Sequence, residues 1–172
     1  MELGLFIIHL TVGLLVAAHG AQKLFGAFEG PGIEGMGGAL ESMGIRPGRH
    51  MALAAGGSEF FGGLLLALGL ATPAAAVLIA STMLVASRTA HAGKGPFASK
   101  GGWELPLTNA VVAIGLAFNG AGQWSLDHAI GWNIAGFWWG IGATVVAILG
   151  GLGAIAVGRS ELGHRTPGVP AH

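Results

Sequence analysis

The chain contains no cysteine and no tyrosine, and it carries very little charge. Without cysteine there is no disulfide framework, thiolate nucleophile, iron–sulfur cluster or Cys-ligated zinc. Any redox chemistry therefore needs a bound cofactor or a partner. Charged residues make up 9% of the 172 positions, where an ordinary soluble domain has roughly a quarter, and a water-soluble surface cannot be built from so few. The formal net charge is zero, which argues against nucleic acid, because that partner demands a basic face.

What fills the space is apolar. Hydrophobic residues reach 52% with 33 glycines, mean hydropathy is +0.68, and several apolar runs reach 18 residues or more, the length that reads as a transmembrane helix. Five spans are expected, at about 3–25, 51–70, 73–90, 106–118 and 134–157, giving an all-α, polytopic transmembrane bundle of four helices plus a fifth C-terminal one. The first span opens with Glu2 rather than a basic segment and outruns a signal-peptide core, so it reads as a retained helix. Its Gly13, Ala17 and Ala21 repeat every four positions as a close-packing stripe, and Gly136 and Gly140 form a similar pair in the fifth span. Between spans one and two, Ile33, Met36, Leu40 and Met43 recur at helical spacing and suggest a short interfacial helix. Pro73 and Pro106 suit the first turns of the helices they open.

Five spans put all eight Lys and Arg residues on one side: Lys23, Arg46 and Arg49, then Arg88, Lys94 and Lys100, then Arg159 and Arg165. By the positive-inside rule that side is cytoplasmic and the N-terminus outside. The expected divisions are a four-helix membrane domain over 1–120, an extracytoplasmic turn with the fifth span over 121–158, and a polar cytoplasmic tail over 159–172.

Glu59 stands in the middle of the second apolar run. A charge at membrane depth costs roughly 3 kcal/mol on insertion scales, so it normally has a partner or a task. At 1.5 Å per residue, His19 lies roughly 9 Å and Glu59 roughly 12 Å from the cytoplasmic end of their spans. Four helices thus direct polar groups to one layer: His19, Gln22, Lys23, Glu59, Arg88, His91, Glu104, Thr108 and Asn109. His9 sits apart and reads as a packed, hydrogen-bonded histidine. No metal site is expected, because the one Glu-x-x-His spacing, Glu161 to His164, falls in the tail. Gly30 to Gly35 matches the dinucleotide fingerprint without a preceding strand, and Lys94-Gly95-Pro96 lacks the order of a phosphate-binding loop.

The ordered set His19-Gly20-Ala21-Gln22-Lys23-Leu24-Phe25-Gly26, Glu59 with Gly62-Gly63, then His91, Lys94-Gly95, Phe97, Gly101-Gly102, Glu104 and Pro106 resembles the DoxX family of prokaryotic membrane proteins. The resemblance covers about 3–118 and implies a prokaryotic inner membrane and a four-helix membrane bundle, from which the fifth span departs. It also implies an association with redox membrane complexes, since the family takes its name from a membrane thiosulfate:quinone oxidoreductase and other relatives are linked to oxidative-stress defence.

Three functional readings follow. The leading one is a redox-associated membrane subunit that binds a quinone-like or other small hydrophobic ligand in the polar layer, with His19 and Glu59 handling protons, Lys23 or Arg88 anchoring the ligand, and a soluble or membrane partner supplying electrons. The second is a non-enzymatic scaffold in which Glu59 is locked to Lys23 or Arg88. The third is a small transporter with Glu59 coupling protons. Enzymatic activity and self-association stay open, and the lipid bilayer is a partner in all three.

Overall fold

A computed structural model of the chain describes residues 2–160, which leaves Arg165, the Glu161–His164 spacing and most of the expected tail outside the described residues. Helices α1 (Glu2–Phe25), α3 (Gly48–Leu68), α4 (Thr72–Arg88), α5 (Glu104–Asn119) and α7 (Phe137–Ser160) form the bundle, joined by the shorter α2 (Gly32–Ser42) and α6 (Leu126–Ala129). Among the described residues there is no strand, so the glycines at 30–35 have no dinucleotide-binding context.

Helices α1, α3 and α7 are long and apolar enough to cross a membrane. The other two, at 17 and 16 residues, are shorter apolar helices. Much of the aliphatic surface faces outward, including Ile7, Leu15, Val111 and Leu149, as expected of a bundle whose solvent is lipid.

The bundle is built from two groups that share α4. Helix α1 packs on α3, α3 on α4, and α4 carries both α5 and α7, which also touch each other. The fifth long helix thus packs on α4 as extensively as α5 does. Its buried face is Gly140, Ala143, Ala147 and Gly151. Gly136 precedes the helix at φ 104°, and its N–H donates to the Phe118 carbonyl at 2.9 Å, so it ties a loop rather than pairing with Gly140 across a helix face.

Local turns and side chains from distant parts of the sequence close the helix ends. Helix α3 stops at Gly69, whose φ of 59° suits a residue without Cβ; Gly69 N–H donates to Leu66 at 3.0 Å and Leu70 N–H to Leu65 at 2.9 Å, a Schellman pair. His9 is buried, and its Nδ1 lies 2.8 Å from the Leu66 carbonyl. A carbonyl only accepts, so Nδ1 carries the proton, and His9 closes the end of α3 from α1.

The start of α4 is capped by Asp127, which is buried and accepts from Ala71 N–H at 2.7 Å, Thr72 N–H at 3.2 Å and Thr72 Oγ1 at 3.3 Å. A carboxylate there satisfies unpaired amides and meets the positive end of the helix dipole. Asp127→Ala is expected to cost about 1–3 kcal/mol, since it leaves buried donors without an acceptor; thermal unfolding in detergent checks this, and Asp127→Asn should fall between the two.

Met36 and Leu40 in α2, with Met43 just past its end, turn inward onto Ile45, Met51 and Ala52. Glu41 accepts from Gly48 N–H at 3.0 Å and caps α3. The described cations Lys23, Arg46, Arg49, Arg88, Lys94, Lys100 and Arg159 all gather at the end where α1, α4 and α7 finish, the basic end. There, Arg46 N–H donates to the Gly158 carbonyl at 2.8 Å.

Candidate functional site

The nine polar residues expected in one layer fall into separate sets. The first lies in the α1–α3 crossing. The Lys23 ammonium meets both oxygens of the Glu59 carboxylate; Glu59 is 1% exposed and the Lys23 side chain 21%. Glycines allow this approach. A Cβ at Gly20 would land on the Phe60 backbone, one at Gly63 on the backbone of Gly13 and Ala17, and one at Gly56 would come 2.9 Å from Leu24 and 3.2 Å from the Lys23 Cβ. Phe25 and Phe60 stack edge-to-face at 5.4 Å beside it. With both carboxylate oxygens on the ammonium, the pair balances its own charge in a poorly solvated place, where either partner alone would be costly. His19 is exposed, and its Nδ1 lies 3.1 Å from Gln22 Oε1 rather than on Glu59.

The second set organises the loop between α4 and α5. His91 Nδ1 donates to the Gly101 carbonyl at 2.6 Å, and Glu104 Oε1 accepts from Ala98 N–H at 2.7 Å. Glu104 is thereby tied to the loop ahead of α5. Thr108 is exposed and bonds back to the Glu104 carbonyl at 2.7 Å; Asn109 is half-buried on the same helix. No hydrogen bond or ion pair joins this set to Lys23 and Glu59 among the described residues.

Arg88 stands apart from both. It is the last residue of α4 and exposed, and it makes no ion pair among the described residues. A cation at a helix C-terminus is favourably placed against the dipole. Arg88 and Trp103 line the mouth of a cavity of about 590 Å³ framed by α4, α5 and α7. The wall is made of Met83, Leu84, Leu107, Val111, Ile114 and Ile148. A second cavity of about 350 Å³ shares Ser87, Arg88 and Trp103 and extends toward Gly93 in the loop. The arrangement is an apolar well with a cationic, aromatic mouth at the basic end. No residue pattern announces it in the sequence, because it is space left by small side chains, Ala80, Ala110 and Ala147, on three helices.

At the opposite end a cavity of about 250 Å³ is lined by Glu2, Gln123, Asp127 and His128. Its carboxylates already accept backbone N–H groups, Glu2 from Gln123 at 2.7 Å and Asp127 from α4. They serve the fold.

The DoxX family model matches residues 4–92, just over half the chain. The chain belongs to the DoxX family. It is an integral membrane protein, as the family and its apolar helices require. The DoxX match runs through α1, α2, α3 and α4 and contains His19, Gln22, Lys23, Glu59, Arg88 and His91; Glu104, Thr108 and Asn109 lie beyond it. Two of the three cavity walls, α5 and α7, are therefore outside the DoxX match. No curated protein and no solved structure matches the chain.

Proposed function

We propose that this DoxX protein is a redox-associated subunit of the inner membrane that takes a quinone-like, small hydrophobic ligand from the bilayer into the cavity between α4, α5 and α7. The observation that carries the reading is the cavity itself: about 590 Å³, apolar along its length and ending at Arg88 and Trp103. That volume lies in the range of small-molecule sites, which combine apolar walls with a few placed polar groups. The well suits an apolar tail, and the Arg88 guanidinium offers hydrogen bonds to a carbonyl-bearing head group. The chain has no cysteine, and electrons are supplied by a soluble or membrane partner.

In this reading the chain crosses the membrane five times, with the basic end cytoplasmic and the N-terminus outside, which the clustering of cations supports. Helices α4 and α5, at 17 and 16 residues, rise only about 25 Å against a hydrocarbon core of roughly 30 Å, so interfacial Trp103 and Arg88 complete their reach. Glu59 and Lys23 lock α1 to α3, and His91 and Glu104 hold the mouth in shape.

The test is equilibrium binding of a short-chain ubiquinone analogue to reconstituted protein. Ala110→Phe puts a phenyl ring into the well and is expected to weaken binding at least about tenfold, equivalent to about 1.4 kcal/mol, with the elution of folded protein retained. Unchanged affinity in Ala110→Phe contradicts the assignment. A second reading, a non-enzymatic scaffold, draws on the Lys23–Glu59 lock; it predicts no saturable binding of the analogue and recovery of a stoichiometric protein partner.

A further inference from the structure

The cavity is open on its side to the surroundings: Leu107, Val111 and Ile148, three of its wall residues, are 47%, 60% and 47% exposed. In a bilayer the surrounding medium is acyl chain, and an apolar cleft facing it is filled from it. The cleft is longer than one leaflet is deep, so it holds an acyl chain of that leaflet along its full length. The α5 wall runs from Trp103 to Phe118, about 22 Å at the helix rise, and half the hydrocarbon core is roughly 15 Å.

The mouth chooses the head group. Ser87 spends its hydroxyl proton on the Met83 carbonyl at 2.8 Å, and Glu104, the acid that opens α5, is held by Ala98 N–H at 2.7 Å. Arg88 is left as a cation with no carboxylate on it among the described residues. Its planar fork matches phosphate oxygens in pairs. Trp103 beside it is the residue type that sits at head-group level, and Lys94 and Lys100 follow in the same loop.

We infer that the resting occupant of this cavity is an anionic phospholipid of the surrounding leaflet, with one acyl chain in the well and its phosphate on Arg88, and that the quinone-like ligand must displace it. Lipid occupancy stands on the cavity and Arg88 alone; the competition rests on the function proposed above. The lipid sets the apparent affinity of the site for any other occupant, so a membrane rich in anionic lipid holds the site closed to a neutral competitor.

Native mass spectrometry of protein released from nanodiscs containing equal phosphatidylglycerol and phosphatidylcholine tests this. Wild type is expected to retain one phosphatidylglycerol about tenfold over phosphatidylcholine: both carry the phosphate, but the choline ammonium of the latter cancels its charge and is repelled by the Arg88 cation. Arg88→Gln, a change at an exposed position, is expected to bring the retained lipids to the bulk ratio, and Ala110→Phe to lose the retained lipid. Retention at the bulk ratio in wild type, or an undiminished preference in Arg88→Gln, overturns the inference. Titrating the short-chain ubiquinone analogue separates the two claims. Analogue that binds and depletes the phosphatidylglycerol supports both; analogue that binds in the well while the lipid stays overturns the competition alone. Analogue that fails to bind while Arg88-dependent lipid remains overturns the proposed ligand and leaves the lipid site standing.

Discussion

Lys23→Ala is expected to destabilise the protein by about 3–5 kcal/mol, the cost of leaving one member of a buried pair uncompensated. Glu59 is 1% exposed, and its two oxygens have the Lys23 ammonium as their hydrogen-bond partner among the described side chains. Removing Lys23 strands a carboxylate in the α1–α3 crossing, away from water. Glu59→Ala strands the ammonium instead; Lys23 is 21% exposed and can turn its head toward the interface, so this loss should be the smaller one. The double variant Lys23→Met with Glu59→Leu removes both charges and fills the volume, and such replacements are often close to neutral. A double-mutant cycle on thermal unfolding in mild detergent measures the coupling. Strong non-additivity marks a lock between helices, and additive losses contradict the pair as the reason Glu59 is tolerated.

The second large effect is a single methyl group. Gly63→Ala places a Cβ on the backbone of Gly13 and Ala17 in α1, where no side-chain rotation relieves it. The helices must part, and because α1 and α3 form the most extensive helix pair, the cost should reach about 3 kcal/mol, the top of the usual overpacking range. The control lies on the same helix. A Cβ at Gly57 meets nothing within 4 Å, so Gly57→Ala should be neutral or gain up to about 1 kcal/mol from helix propensity. Folded yield and melting temperature of the two variants give the comparison. Equal behaviour would mean that α1 and α3 do not cross backbone to backbone. The substitution also parts Lys23 from Glu59, so its effect should shrink in the uncharged double variant.

The helices were legible because long apolar runs and prolines are local signals. Pro73 enters the first turn of α4 and Pro106 that of α5, as their fixed backbone angle requires. The packing stripe on α1 was legible only in part. A strict four-residue repeat picks Gly13, Ala17 and Ala21, but a helix of 3.6 residues per turn drifts, and the buried small residues are Gly13, Ala17 and Gly20, with Ala21 half-buried. The pair at 136 and 140 fails for another reason: Gly140 is on the buried face with 143, 147 and 151, but Gly136 lies ahead of the helix at φ 104°.

Lys23 could be named as a partner for Glu59 because an apolar sequence offers few charges at that depth. The role of Asp127 could not, since it caps a helix 55 positions away in the chain. The grouping of Arg88 apart from His91 and Glu104 was also hidden: sequence supplies depth along a helix, not which neighbour the side chain meets. The cavity left no trace at all, because a void is defined by where three helices with small residues fail to fill the space between them.

Two regions thus divide the work of this DoxX protein. The α1–α3 crossing, with its glycines and its single charge pair, holds the bundle together. In the function proposed above, the α4–α5–α7 cavity, with Arg88 and Trp103 at its mouth, receives the ligand. Photolabelling in liposomes with an azido-ubiquinone analogue, followed by peptide mass spectrometry, tests that division most directly. The account predicts labels on Met83, Leu107 or Val111, suppressed by excess unlabelled analogue and by Ala110→Phe; competitor-sensitive labels on α1 and α3 around His19 and Glu59, with α4, α5 and α7 unlabelled, would contradict it.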